Sequence, residues 1–282
     1  MRSMTTQLPG KLNQLRRDLP EGLLVDAAWL SKHGYATSLV SKYVAAGYLE
    51  RPAGRVYRKP RGALSWEQAV ISLQTLLYRT PLAVGGRTAL ALQGYEHYLP
   101  RATQQVHLYG PSAPPGWLSK LPLSIRFVFH NSAALFSPEA GLPPKGDLDR
   151  ANAAAEKEAA EKGFVIQSWG QWRWPLVVSS PERALLEVLD ELPDHESFET
   201  ADKLVESLST LSPRRMQTLL QACQSVKAKR LLFFFADRHS HAWKNKINKD
   251  HVDLGSGKRM LVKGGVLDRT YQITVPKGLD AV

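Results

Sequence analysis

Apolar residues recur at helical spacing from the start of the chain. Leu12, Leu15 and Leu19 share one face of a helix predicted over residues 11–19, which Pro20 closes. A second helix opens at Asp26, whose carboxylate suits an N-cap, carries Ala28, Trp29 and Leu30, and stops at Gly34. The third opens at Thr37, again as N-cap, and stops at Gly47. At about 100° per residue, Leu39, Val40, Tyr43 and Val44 of this third helix fall on one arc, and Ser38, Ser41, Lys42 and Ala45 on the opposite one. The first arc is expected to pack and the second to face out. After Gly47 the period shortens to two. Tyr48-Leu49-Glu50-Arg51, a Pro52-Ala53-Gly54 turn and Arg55-Val56-Tyr57-Arg58-Lys59 read as a two-stranded ribbon.

Residues 65–78 give a further amphipathic helix, with Ser65 as N-cap and Ala69, Leu73, Leu76 and Leu77 inward. A short apolar run then meets Gly85-Gly86 and an alanine-leucine helix, and strands are predicted over 105–109 and 123–129. Loops are expected at 111–115 and 138–150. The stretch ANAAAEKEAAEKG lacks an apolar stripe and reads as a solvent-exposed connecting helix. Trp169, Trp172 and Trp174 either pack beneath it or offer a platform to a base or sugar. Beyond Ser180 the chain is mainly helical: Ser180-Pro181-Glu182 and Ser212-Pro213 are helix starts, and Ala184, Leu185, Val188, Leu189 and Leu192 form a core stripe. A helix from Ser225 contains LLFFF, apolar on all sides and therefore buried. A hairpin from 258–262 to 271–275, joined through Gly264-Gly265, ends the pattern.

These elements imply an α+β protein with an N-terminal winged helix-turn-helix, followed by a larger mixed α/β region that is mainly helical at its C-terminal end. At 282 residues two domains are expected, 1–63 and 64–282, the second with sub-parts 64–178 and 179–282. No apolar run is long enough for a spanning helix and the start lacks a signal-peptide block, so a cytoplasmic protein with no membrane partner is expected.

Charge sharpens the picture. The net charge is +11, and residues 1–62 and 225–263 each carry +7 over a mildly acidic remainder. Such patches suit a polyanion, although the second also fits plain solubility. On the third helix Thr37, Ser38, Ser41 and Lys42 make a face slim enough for a major groove, and Arg51, Arg55, Arg58, Lys59 and Arg61 are placed to hold phosphates of double-stranded DNA. The competing reading is a winged helix used as a protein-protein module.

Catalytic chemistry is harder to find. The glycine pair resembles the strand-turn-helix opening of nucleotidyltransferase domains, in which the next strand carries two metal-binding carboxylates. Here that strand reads Gln105-Val106-His107-Leu108-Tyr109. Either this is such a shell without its chemistry or Gly85-Gly86 is an ordinary turn. No nucleophile elbow, P-loop or metal-ligand spacing is present. The lone Cys223 reads as core, and His239, His241 and His251 read as surface residues. No enzyme activity, cofactor or metal is expected.

The segments SSPERALLEVLDELP, LSPRRMQTLLQACQSVKAKRLLFFFADRHSHAW and DLGSGKRMLVKGGVLDRTYQITVP resemble the C-terminal domain of the AbiEi antitoxin family, the regulator half of type IV toxin-antitoxin operons. With the winged helix ahead of them, the likeness covers nearly the whole chain. It implies a bacterial antitoxin and autorepressor. Residues 1–63 would bind inverted repeats in its own promoter, and 64–282 would counter a nucleotidyltransferase-like toxin of the AbiEii type. By that resemblance Lys227, Lys229 and Arg230 are candidates for antitoxicity. Neutralisation by direct contact, by altering the toxin or by protecting its target all stay open. The alternative is a winged-helix transcriptional regulator with no toxin partner.

Overall fold

The leucine stripe builds α1 (Leu8–Asp18), which buries Leu15 and, just beyond it, Leu19. In the computed structural model, which describes residues 8–78, 81–95, 104–141 and 153–279, β1 (Val25–Asp26), α2 (Ala27–Lys32) and α3 (Thr37–Ala45) follow. Asp26 caps α2, accepting the Trp29 N–H at 2.7 Å. Gly34 then takes φ +79°, which lets the Tyr35 N–H reach back to the Leu30 carbonyl at 2.9 Å and turns the chain into α3. Thr37 is the first residue of α3 rather than its cap. That place falls to extended Ala36, which makes no side-chain bond.

β2 (Glu50–Ala53) and β3 (Val56–Arg58) form the antiparallel ribbon, turning at Gly54-Arg55. β1 pairs with the other edge of β3, giving the order β1-β3-β2. A two-residue strand is too short for periodicity to reveal. α4 (Trp66–Gln74) starts with a capping box between Ser65 and Gln68. It is buried on more faces than its stripe predicted, because it is held from two sides. Ser72 Oγ accepts the Leu24 N–H at 2.8 Å, while the Gln74 side chain donates to the Val177 carbonyl at 2.9 Å and accepts its N–H at 3.0 Å.

The central sheet contains β4 (Ala83–Val84), β5 (Gln105–Gly110), β6 (Arg126–Asn131), β7 (Phe164–Trp169) and β8 (Trp174–Ser179), in the order β6-β5-β4-β8-β7. β4 runs antiparallel to β5 and parallel to β8; β5 and β6 are parallel, β7 and β8 antiparallel. α5 (Gly86–Leu92) leaves β4 through the glycine pair. α6 (Ala153–Glu161) is not the solvent-exposed connector expected. Its Ala159 is fully buried against Ala83, Phe164 and Val177, since a methyl side chain lets a helix without an apolar stripe sit close on a sheet. Trp172 does not pack beneath it but stands exposed in the β7–β8 turn. Residues 142–150 of the predicted 138–150 loop lie outside the described residues.

α7 (Pro181–Asp190), α8 (Phe198–Ser207), α9 (Pro213–Ala222) and α10 (Val226–Arg238) complete the helical part. α7 is central, touching α5, α8, α9, α10 and β8. The expected stripe of Ala184, Leu185, Val188, Leu189 and Leu192 is buried, as are Cys223 and the LLFFF run. The final hairpin lies further along than predicted. β9 (Val266–Asp268) pairs with β10 (Ile273–Val275), whereas the 258–262 segment joins only through an Arg259 bridge and two N–H bonds to Thr274 Oγ1. The protein is thus α+β. No helix among the described residues is long and apolar enough to cross a membrane.

Candidate nucleic-acid interface

The two arcs of α3 separate as the sequence requires. Val40 and Tyr43 are buried and Leu39 and Val44 partly so, while Thr37, Ser38, Ser41, Lys42 and Ala45 are exposed. Ser41 Oγ donates to its own helix at the Thr37 carbonyl, 3.0 Å away, which engages its hydrogen and leaves its exposed oxygen able to accept. Tyr48, expected only as a strand residue, is 42% exposed where α3 hands over to β2, with the guanidinium of exposed Arg16 over its ring at 6.0 Å. Nothing in the periodicity marked this pair, because the contact joins α1 to a residue 32 positions later.

The cations of the ribbon divide. Arg51 and Arg55 are exposed, and Arg55 sits at the turn with φ +62°. Arg61 is exposed too, paired to Glu21 at 3.4 Å and lying over the Trp172 ring at 5.8 Å. Arg58 and Lys59 are not available to phosphates. Arg58 is buried, pairs with Glu50 and donates to the Gly62 carbonyl at 2.6 Å, and Lys59 donates to the Arg16 carbonyl at 2.7 Å and to Glu21 at 3.2 Å. Arg58 faces inward because it shares the face of β3 that buries Val56, and Lys59, just past the strand, is drawn in by the Arg16 carbonyl and Glu21. Arg58→Ala is therefore expected to lower stability by about 1–3 kcal/mol, since Gly62 and Glu50 lose a buried donor. Arg55→Ala should leave stability within about 0.5 kcal/mol. Urea denaturation of the two variants checks the contrast.

Lys227, Lys229 and Arg230 also turn inward. Lys227 donates to the Asp190 and Leu192 carbonyls at 2.5 and 2.6 Å. Lys229 is only 5% exposed. Arg230 donates to the Leu254 and Gly257 carbonyls, both at 2.7 Å, and to Gln272 O at 3.2 Å. Lys227, half-buried, and Arg230, buried, thus spend their donors on carbonyls at loop and helix ends around α10, and Lys229 is buried beside them, which leaves little of the three for a partner. The exposed basic residues of this region are Lys246, Lys249, Lys258, Arg259 and Lys263, the last three flanking in sequence Met260, which is 75% exposed.

At the glycine pair, the protein fills its own shelf. The Gly86 N–H donates to Glu187 Oε2 at 2.8 Å, and Glu187 Oε1 accepts from the Ser179 hydroxyl at 2.9 Å and from Arg183 Nε at 3.1 Å. Burial pushes this carboxyl up to about 7, against the pull of Arg183, the Gly86 amide and Ser179. A Cβ on Gly85 would collide with the Tyr109 ring and Glu187 Oε2, so only glycine fits there. A backbone amide that in a phosphate site would face an anion here faces the chain's own carboxylate. Of the strand residues standing where two acids would be needed, Gln105 is exposed and His107 buried. The three histidines further on do not converge: His239 Nε2 meets Asp202 at 2.7 Å, His241 Nε2 meets the Val205 carbonyl at 2.6 Å, and His251 is exposed.

Comparison with known proteins gives two family-model matches, which meet near residue 102. Residues 103–276 match the family model described as a transcriptional regulator, AbiEi antitoxin, of a type IV toxin-antitoxin system, and residues 9–101 match its N-terminal domain. The crystal structure of the RV2827C protein from Mycobacterium tuberculosis superposes with a TM-score of 0.50 at 16% identity, over 97% of this chain and 92% of that one, a likeness of fold. No curated protein matches. The matches define a transcriptional regulator with an antitoxin role. The chain belongs to the AbiEi antitoxin family of type IV toxin-antitoxin systems.

Proposed function

We propose that this antitoxin represses its own operon by binding inverted repeats in its promoter through a winged helix-turn-helix, residues 1–63, and that residues 64–282 counteract a nucleotidyltransferase-like toxin. The observation that carries the reading is the split of α3: four apolar residues pack, and Thr37, Ser38, Ser41 and Lys42 face outward directly before a ribbon bearing exposed Arg51 and Arg55. Small hydroxyls and one lysine suit a major groove about 12 Å wide, and the arginines suit the flanking phosphates. Arg61 and Arg16 extend this cationic surface, while Arg58 and Lys59 brace it from within.

For the larger region, the filled glycine shelf supports a role without bond-making. Exposed Lys258, Arg259 and Lys263 beside Met260 offer the face for an acidic toxin surface or a nucleic-acid target, in place of the engaged Lys227 and Arg230 and buried Lys229. Full-length protein is expected to bind the duplex immediately upstream of its reading frame about 10³-fold or more tighter than a scrambled duplex at the same salt. Fluorescence anisotropy measures this. Co-expression with the neighbouring gene product, scored by growth, tests antitoxicity. Equal affinity for both duplexes removes the repressor reading, and unrelieved toxicity removes the antitoxin one.

A further inference from the structure

The parallel pair β5 and β6 places Tyr109 opposite His130, with His107 two residues earlier on the same face of the sheet. Glu191, the C-cap of α7, comes down onto that face. His107 Nδ1 lies 3.0 Å from His130 Nε2; Glu191 Oε2 lies 3.6 Å from the first nitrogen and Oε1 3.4 Å from the second. Four ligands held about 2.0–2.1 Å from a tetrahedral zinc ion are separated from one another by about 3.3–3.4 Å. The three side chains therefore already stand at the spacing of a first coordination sphere, and their candidate ligand atoms all fall within 4.8 Å of one another.

The geometry points to a binding site for one zinc-class divalent ion, held by His107 Nδ1, His130 Nε2 and the Glu191 carboxylate, with a fourth position open to water. Two imidazoles and one carboxylate are borderline ligands that suit Zn²⁺ or Co²⁺, whereas Mg²⁺ requires an oxygen shell. The hydrogen now shared between the facing nitrogens would move to the far nitrogen of the imidazole that carries it, leaving both near lone pairs for the ion. The Tyr109 hydroxyl donates to Glu191 Oε1, and its ring stacks on His130 at 4.6 Å between centroids. Tyr109 thereby positions two of the ligands, as outer partners of metal ligands do. The ion would tie the edge of the sheet to the end of α7.

Tag-free full-length protein, stripped with chelator, should take up one equivalent of Zn²⁺ in competition with a chromophoric chelator and melt about 4 °C or more higher in its presence. Co²⁺ should give the visible absorption of a four-coordinate site. His130→Gln and Glu191→Gln should each weaken uptake by at least about 100-fold, and Tyr109→Phe by about tenfold. The double variant His239→Gln, His251→Gln should bind as the natural chain does. Uptake that survives both ligand substitutions, that disappears in the double variant, or that is weaker than millimolar in the natural chain overturns the site.

Discussion

Arg183→Ala is expected to lower the unfolding free energy by about 3–5 kcal/mol, the cost of stripping one partner from a buried ion pair. Arg183 is 1% exposed and its partner Glu187 is fully buried. The guanidinium does more than meet that carboxylate at 3.1 Å. Its Nη1 donates to the Ala140 carbonyl at 2.8 Å and to the Lys162 carbonyl at 3.0 Å, and its Cζ lies 4.0 and 4.2 Å from the Phe136 and Phe164 ring centres. Truncation leaves two carbonyls without these donors, a carboxylate without its counter-charge and a void between two rings. A loss of this size is a large share of the roughly 5–15 kcal/mol available to a domain. Urea denaturation followed by tryptophan fluorescence measures it. Arg183→Lys should recover only part of the loss, because one ammonium cannot reproduce the fork that serves Glu187 and two carbonyls together. The double variant Arg183→Met, Glu187→Met should fall well short of the summed single effects, since neither charge is then left alone in the core. A change under 1 kcal/mol for Arg183→Ala removes the pair from the account of what holds α7 in place.

The same residues show where sequence reading reached and where it stopped. On α7 the apolar stripe was legible and correct. Glu182, Arg183 and Glu187 lie outside that stripe and are buried as well, since α7 is covered by helices on several sides rather than lying on a surface. A periodicity argument assumes one wet face; α7 has none to spare. Arg58, Lys59, Lys229 and Arg230 repeat the lesson. Counting cations locates a basic segment, but which of them reach solvent depends on carbonyls brought in from far along the chain, such as Arg16 for Lys59 and Gln272 for Arg230. α3 was readable because its two arcs are local and strongly contrasted. His107 was noticed only as a missing acid, and its partner Glu191 stands 84 residues away, a distance at which no motif spacing operates.

Operator affinity should collapse with salt. If exposed Lys42, Arg51, Arg55 and Arg61 each neutralise one phosphate, the logarithm of the association constant falls against that of salt with a slope of about −3.6 per copy. Raising salt from about 50 to 200 mM then weakens one copy by about 150-fold, and two copies on an inverted repeat by about 10⁴-fold. Arg55→Ala should reduce the slope by about 0.9 per copy and do so equally on operator and scrambled duplex, because phosphates are the same in both. Ser41→Ala should leave the slope alone and change the ratio between operator variants by about 1 kcal/mol, because a hydroxyl on the groove face touches bases rather than the backbone. Arg58→Ala supplies the internal control. Its guanidinium is spent on Glu50 and Gly62, so it should weaken folding without altering the slope of the fraction that stays folded. Anisotropy titrations at four salt concentrations on all three variants separate these outcomes. A slope near zero, or an Arg58→Ala slope that drops as far as that of Arg55→Ala, means that the phosphates meet a different surface from the ribbon turn.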